Sequence, residues 1–199
     1  VVGDEAGTAI TTGDANTLIG SISGDAITTG TNNIAIGRNS LGSLTTGTGN
    51  SALGVASLTT ETTGNYNTAV GQSALQTLNN TGDGYNTAVG ADAGKLVTTG
   101  VQNTLIGGLA GDAITTASYN TAVGKSALGA NTTGATNTAV GTGSLASNTT
   151  ADNNTAVGVN ALQVNTTGVG NVAMGANALD SNTTASSNTA VGHASLSAN

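Results

Sequence analysis

An asparagine returns at a fixed interval along almost the whole chain. It stands at Asn16, Asn33, Asn50, Asn67, Asn86, Asn103, Asn120, Asn137, Asn154, Asn171 and Asn188, always 17 residues apart except for the 19 between Asn67 and Asn86. Each opens a box best seen as Asn137-Thr138-Ala139-Val140-Gly141. A period this tight sets the architecture before residue propensities do, because each unit can bury its apolar face only against the units beside it.

With the box Asn as position 1, the unit reads N-T-A-V-G-x-x-A-L-x-x-N-T-T-G-x-x. Position 5 is Gly in all twelve units, from Gly3 to Gly192, which marks a backbone corner with positive φ or a close backbone approach. Thr-Thr-Gly stretches such as Thr11-Thr12-Gly13 and Thr132-Thr133-Gly134 mark a second corner near positions 13 to 15. Two Gly-bearing breaks per unit cannot sustain a helical apolar stripe. The Thr-Ala-Val and Ala-Leu segments between them suit short strands. The fold class this predicts is all-β, a parallel β-solenoid or β-roll of about twelve 17-residue coils. With coils about 4.8 Å apart, such a rod is roughly 55 Å long. Residues 1–199 form a single repeat array, and the two extra residues of the 67–85 unit are expected to bulge outward, since the register resumes at Asn86.

Neither end reads as a capping repeat. Val1, Val2 and Gly3 fit the last three box positions, and Asn199 stops inside the final repeat, so the chain is expected to be a stretch of a longer fibre.

The repeats serve as their own alignment. Units with Leu at position 9 (Leu41, Leu58, Leu75, Leu128, Leu145, Leu162, Leu179, Leu196) all carry Ala at position 3. Where position 9 is Gly (Gly7, Gly24, Gly94, Gly111), position 3 enlarges to Val1, Leu18 and Leu105, whereas the unit with Gly94 keeps Ala88 and has Leu96 and Val97 nearby. Conserved volume places positions 3 and 9 in one packed space, within or between coils. Position 4 is a large aliphatic in every unit, for example Ile19, Leu53, Val140 and Met174. Neighbours on a strand point to opposite faces, so positions 3 and 4 serve two apolar columns, and one coil has a single interior. The second column needs a cover. The expected partner is the chain itself, as a homo-oligomer and a trimer around the rod axis.

Composition narrows the function classes. Arg38, Lys95 and Lys125 are the only strong cations, the formal charge is -7, and there is no Phe, Trp, Cys or Pro. That surface has no basic footprint for nucleic acid or anionic lipid. No run approaches the length of a membrane span, so no membrane partner is expected within this segment. The absence of Cys is compatible with a durable extracellular polymer.

The boxes Asn33-Ile34-Ala35-Ile36-Gly37, Asn50-Ser51-Ala52-Leu53-Gly54 and Asn171-Val172-Ala173-Met174-Gly175 resemble those of YadA-like heads of trimeric autotransporter adhesins. The full unit, as in 120–136, is similar to repeats of phage tail fibres and bacterial surface fibres. The adhesin-head repeat is shorter and lacks the Thr-Thr-Gly arm. The resemblance implies a trimeric, left-handed parallel β-roll at a cell or virion surface, serving as the rigid, extracellular part of a fibre that supports attachment to a host, surface or receptor.

Candidate site residues are few. No catalytic residue, cofactor or metal ligand set is expected, and the reading is not of an enzyme: the lone His193 has no partner fixed by a motif, the acids scatter, and no carboxylate pair recurs. The stacked box asparagines read as an amide ladder, with a sugar-contacting row as the alternative. Tyr66, Tyr85 and Tyr119 all occupy position 17, where a ring could stack on a sugar face or pack over a corner of the coil. Asn131, Asn148, Asn165 and Asn182 each begin an Asn-Thr-Thr sequon, with Asn79 and Asn153 as additional sequons. Glycosylation at the four would coat one edge of the filament. Thr-Thr neighbours alternate faces and make no ice-binding grid. The alternative function is a carbohydrate-binding module presenting Tyr and Asn rows.

Overall fold

The computed structural model describes residues 1–197; Ala198 and Asn199, where the last repeat stops, lie outside them. Each unit from Asn16 onward contributes one three-residue strand, in its box, while the Ala-Leu segments expected to be strands are turns: β1 Thr17–Ile19, β2 Ile34–Ile36, β3 Ser51–Leu53, β4 Thr68–Val70, β5 Thr87–Val89, β6 Thr104–Ile106, β7 Thr121–Val123, β8 Thr138–Val140, β9 Thr155–Val157, β10 Val172–Met174 and β11 Thr189–Val191. They pair in chain order as one eleven-stranded parallel sheet. The register is like for like, Thr121 against Thr138 and Val123 against Val140, and it passes the insertion unchanged, Thr68 against Thr87. A further bridge, Val2 to Ile19, extends the ladder into the first unit. The chain is thus a β-solenoid, and there is no helix among the described residues.

Gly at position 5 makes the first corner for both expected reasons. Gly124 has φ 136°, and a Cβ there would lie 2.6 Å from the carbonyl of Gly141 in the next coil. From positions 6 to 9 the backbone visits the left-handed region twice, at positions 7 and 9. All eight position-9 leucines adopt it, with φ between 48° and 54°. That conformation costs an L-residue roughly 1–2 kcal/mol. It is held because the position-9 N–H meets a carbonyl of the next coil, as Leu128 does with Ser144 at 3.1 Å. The second corner turns on position 13, whose carbonyl collects three N–H groups from the coil before: Thr45 accepts from Thr28, Thr29 and Gly30 at 2.9, 3.3 and 3.2 Å.

Positions 1, 3, 8, 9 and 12 point inward and form the core. The exchange between positions 3 and 9 is real and runs along the rod as well as across it. A Cβ on Gly111 would sit 2.8 Å from Leu105 Cδ2 in the same coil, and one on Gly94 would sit 2.6 Å from Leu105 Cδ1 in the coil above. Leu18 fills the same space over Gly7 and Gly24. One leucine therefore serves two glycines, which explains why Ala88 beside Gly94 needs no enlargement. Val97 lines that space as well, whereas Leu96 points outward, contrary to expectation, because position 11 faces solvent.

Candidate functional site

Three features stand out from the repeat. The first is the outer face of the sheet. Position 3 is fully buried along the middle of the rod, and positions 2 and 4 look outward. Position 4 makes an unbroken aliphatic ribbon, with Ile19, Leu53, Ile106 and Met174 between 38% and 46% exposed. No strand carries a charged residue on this face, and position 2 is Thr in eight of the eleven.

The second feature is the asparagines, and here structural roles replace chemical ones. Asn137 donates from Nδ2 to the carbonyl of Ala151 at 2.8 Å, closing its own coil. Its Oδ1 accepts the backbone N–H of Asn154 at 2.9 Å, tying that coil to the next. The box asparagines from Asn33 to Asn171 are buried, so they form the ladder and not a row that a sugar could touch. Asn131, Asn148, Asn165 and Asn182 form a second buried ladder at position 12. Asn148 Nδ2 donates to Asn131 Oδ1 at 2.9 Å and to the Ala151 carbonyl at 3.0 Å. Both of its amide hydrogens are used inside the coil, so the folded rod has no room for a glycan there, and the glycan-coated edge is corrected accordingly. Of the sequons, Asn79 and Asn153 are exposed.

The third feature is the insertion, and it is the one aperiodic place on the rod. Thr81, Gly82 and Asp83 project outward where other coils have one residue, as the sequence leads one to expect. The displaced corner no longer offers its carbonyl to the coil below, which leaves the N–H groups of Thr62, Thr63 and Gly64 in need of an acceptor. Glu61, buried at position 12 where neighbouring coils have Leu44 and Leu78, supplies it. Its Oε1 accepts all three at 2.9, 3.3 and 2.7 Å, and its Oε2 accepts the N–H of Asn80 at 3.2 Å. Burial pushes the Glu61 carboxyl above the usual carboxylate range, and the four backbone N–H donors pull it the other way.

Outside this brace, Tyr85 lies on Tyr66 with ring centroids 5.3 Å apart and planes 8° from parallel. The other side of Tyr66 closes over Gly49, where a Cβ would stand 2.7 Å from the ring. Asp83 takes a hydrogen bond from Tyr85 Oη at 3.1 Å on one oxygen and from Asn65 Nδ2 at 3.1 Å on the other. The hydrogen bond and the carboxylate charge hold the Tyr85 proton on above the ordinary phenol range. Tyr119 is exposed two coils further on and stays outside the pair.

Sequence reasoning did not anticipate two devices. One is Glu61, although an acid in an otherwise apolar or Asn column was visible. The other is position 16, where Asn65, Ser118, Asp152 and Ser186 accept the N–H of Thr48, Val101, Ala135 and Val169 one coil back. Among the described residues no three His, Asp or Glu side chains converge, and His193 is exposed at variable position 6. Comparison with family models, curated proteins and solved structures finds no match to the chain.

Proposed function

We propose that this chain is a structural segment of an extracellular fibre, of the phage tail-fibre or bacterial surface-adhesin type, acting as a rigid rod that supports attachment. Coils in unbroken register add length while all but the insertion keep the same corner contacts, which is what a spacer requires. The observation that carries the reading is the aliphatic ribbon at position 4, uncharged and half-exposed along the whole sheet. A contiguous apolar strip of this length marks an interaction surface. Further copies of the chain are its natural cover, because they bring a ribbon of the same length and spacing. The resemblance to trimeric adhesin heads favours three. In solution the rod is then a homotrimer, tested by mass and by charge placed in the ribbon: Val123→Asp yields monomers that keep their β-sheet signal. Monomeric wild-type protein would remove the reading. The box asparagines are buried, so the carbohydrate-binding alternative narrows to the tyrosines.

A further inference from the structure

A spacer made of identical coils has no use for a break in its period, and this break is a costly one. It gives up a three-donor corner of the ladder, and it buries a carboxylate that no cation accompanies. Buried charges are tolerated where hydrogen bonds satisfy them. Glu61 achieves that with four backbone donors, so the insertion stands on a rigid base. Asn67 is also re-aimed: its Nδ2 reaches the Asn65 carbonyl and Asn80 Oδ1 instead of a corner carbonyl.

The surface built on that base is Tyr85, Asp83 and Asn65, with Thr81 and Gly82 beside them. Tyr85 is 53% exposed, its ring fixed from one side by Tyr66 and its hydroxyl by Asp83. A Cβ on Gly82 would meet nothing within 4 Å, so the bulge beside the ring is open. No pocket indents the rod among the described residues, so the cluster presents a flat surface.

We infer that the insertion is a carbohydrate contact site, in which Tyr85 offers an aromatic platform to the apolar face of a neutral hexose while Asp83 and Asn65 bind its hydroxyls. A pre-oriented ring loses little conformational entropy on binding. A carboxylate and an amide side by side match an adjacent pair of hydroxyls, one accepting and one donating. The selectivity for neutral sugars follows from charge: Asp83 has no basic neighbour in the cluster and the chain carries a formal charge of -7, so sialylated and uronic-acid glycans are repelled. This site uses a corner of the coil, away from the ribbon, and does not depend on oligomerisation.

The test is binding of the whole chain to an array of immobilised oligosaccharides ending in glucose, galactose, mannose or N-acetylhexosamine, with sialylated and uronic-acid glycans alongside. Retention on neutral glycans is expected, with Tyr85→Ala and Asp83→Ala each weakening it at least about tenfold. Tyr119→Ala leaves it unchanged. A second variant deletes Thr81 and Asp83 and carries Glu61→Leu, so that Asn79-Asn80-Gly82-Gly84-Tyr85 restores the 17-residue period. It keeps the circular dichroism of the rod and loses binding. No retention on any neutral glycan, preference for the acidic ones, or full binding by Tyr85→Ala overturns the assignment. A separate measurement of mass decides the fibre reading.

Discussion

Removing Leu105 exposes the packing logic of the rod most directly. Its two methyl groups occupy the spaces over Gly94 and Gly111, and it is fully buried. Leu105→Ala deletes three carbons, worth about 0.8 kcal/mol each in transfer, so roughly 2.4 kcal/mol in all. Both glycines sit in backbone held by coil-to-coil hydrogen bonds, Gly94 to Ala110 and Gly111 to Ala127 at 2.9 Å, so collapse is limited. A residual void on the order of 80 Å³ at about 24 cal/mol per Å³ adds about 2 kcal/mol. The expected loss is therefore about 4 kcal/mol. Urea unfolding followed by circular dichroism reads the total, and hydrogen exchange shows whether the loss concentrates in the 86–119 coils, as a one-dimensional array predicts. Gly111→Leu alone is overpacked against Leu105 and destabilises by about 1–3 kcal/mol. Combined with Leu105→Ala it restores the Ala/Leu pairing of eight other units and recovers more than half of the loss, although the new leucine takes φ near 56°. Additive effects of the two substitutions would refute the shared space.

Further outcomes follow from the hydrogen-bonded columns and the backbone. Asn137→Ala leaves the Asn154 N–H without its acceptor, at about 1–3 kcal/mol, while the Ala151 carbonyl keeps the hydrogen bond from Asn148 Nδ2, and the thermal midpoint falls accordingly. Glu61→Leu repairs the apolar column yet orphans three corner N–H groups, so it destabilises the native 19-residue unit more than Glu61→Gln, which keeps an acceptor oxygen. The raised Glu61 value gives pH dependence a sign: its stabilising contribution is complete below the unfolded carboxyl value, about 4.3, and declines as pH rises through the folded value. Titrating stability of wild type against Glu61→Gln therefore shows a falling difference across that window, and a rising one contradicts it. Ile22 is a β-branched residue at φ 50°, where Asn160 and Asn177 stand in later coils; Ile22→Asn should raise stability by about 1 kcal/mol in urea titration.

The repeat made the solenoid, its Thr-Ala-Val strand, its glycine corner and the place of the insertion legible, because each follows from one residue type recurring at one interval, whereas the Ala-Leu segments expected to be strands turn through the left-handed region instead. The exchange of Leu105 for Gly111 was legible as a volume balance, whereas the unit with Gly94 stood as an exception that only the fold explains, since the same side chain serves two coils. What a single unit conceals is how its polar side chains are used. Asn131 and Asn148 carry a complete sequon, and only the inward direction of position 12 reveals that their amides are consumed in a ladder. The column itself held the clue, since Ile27, Leu44, Leu78, Val97 and Ile114 occupy the same position in earlier coils. Glu61 escaped notice for a related reason. Its partners are backbone N–H groups freed by an insertion one coil away, and no side-chain motif records them.

In the proposed assembly the ribbon through Val70, Val89, Val123 and Val140 is closed by further copies of the same rod. Sedimentation equilibrium of the chain tests it directly. A single species of three times 18.8 kDa that Val123→Asp converts to monomer without loss of β-sheet is the expected result; wild-type protein that sediments as a monodisperse 18.8 kDa rod contradicts it.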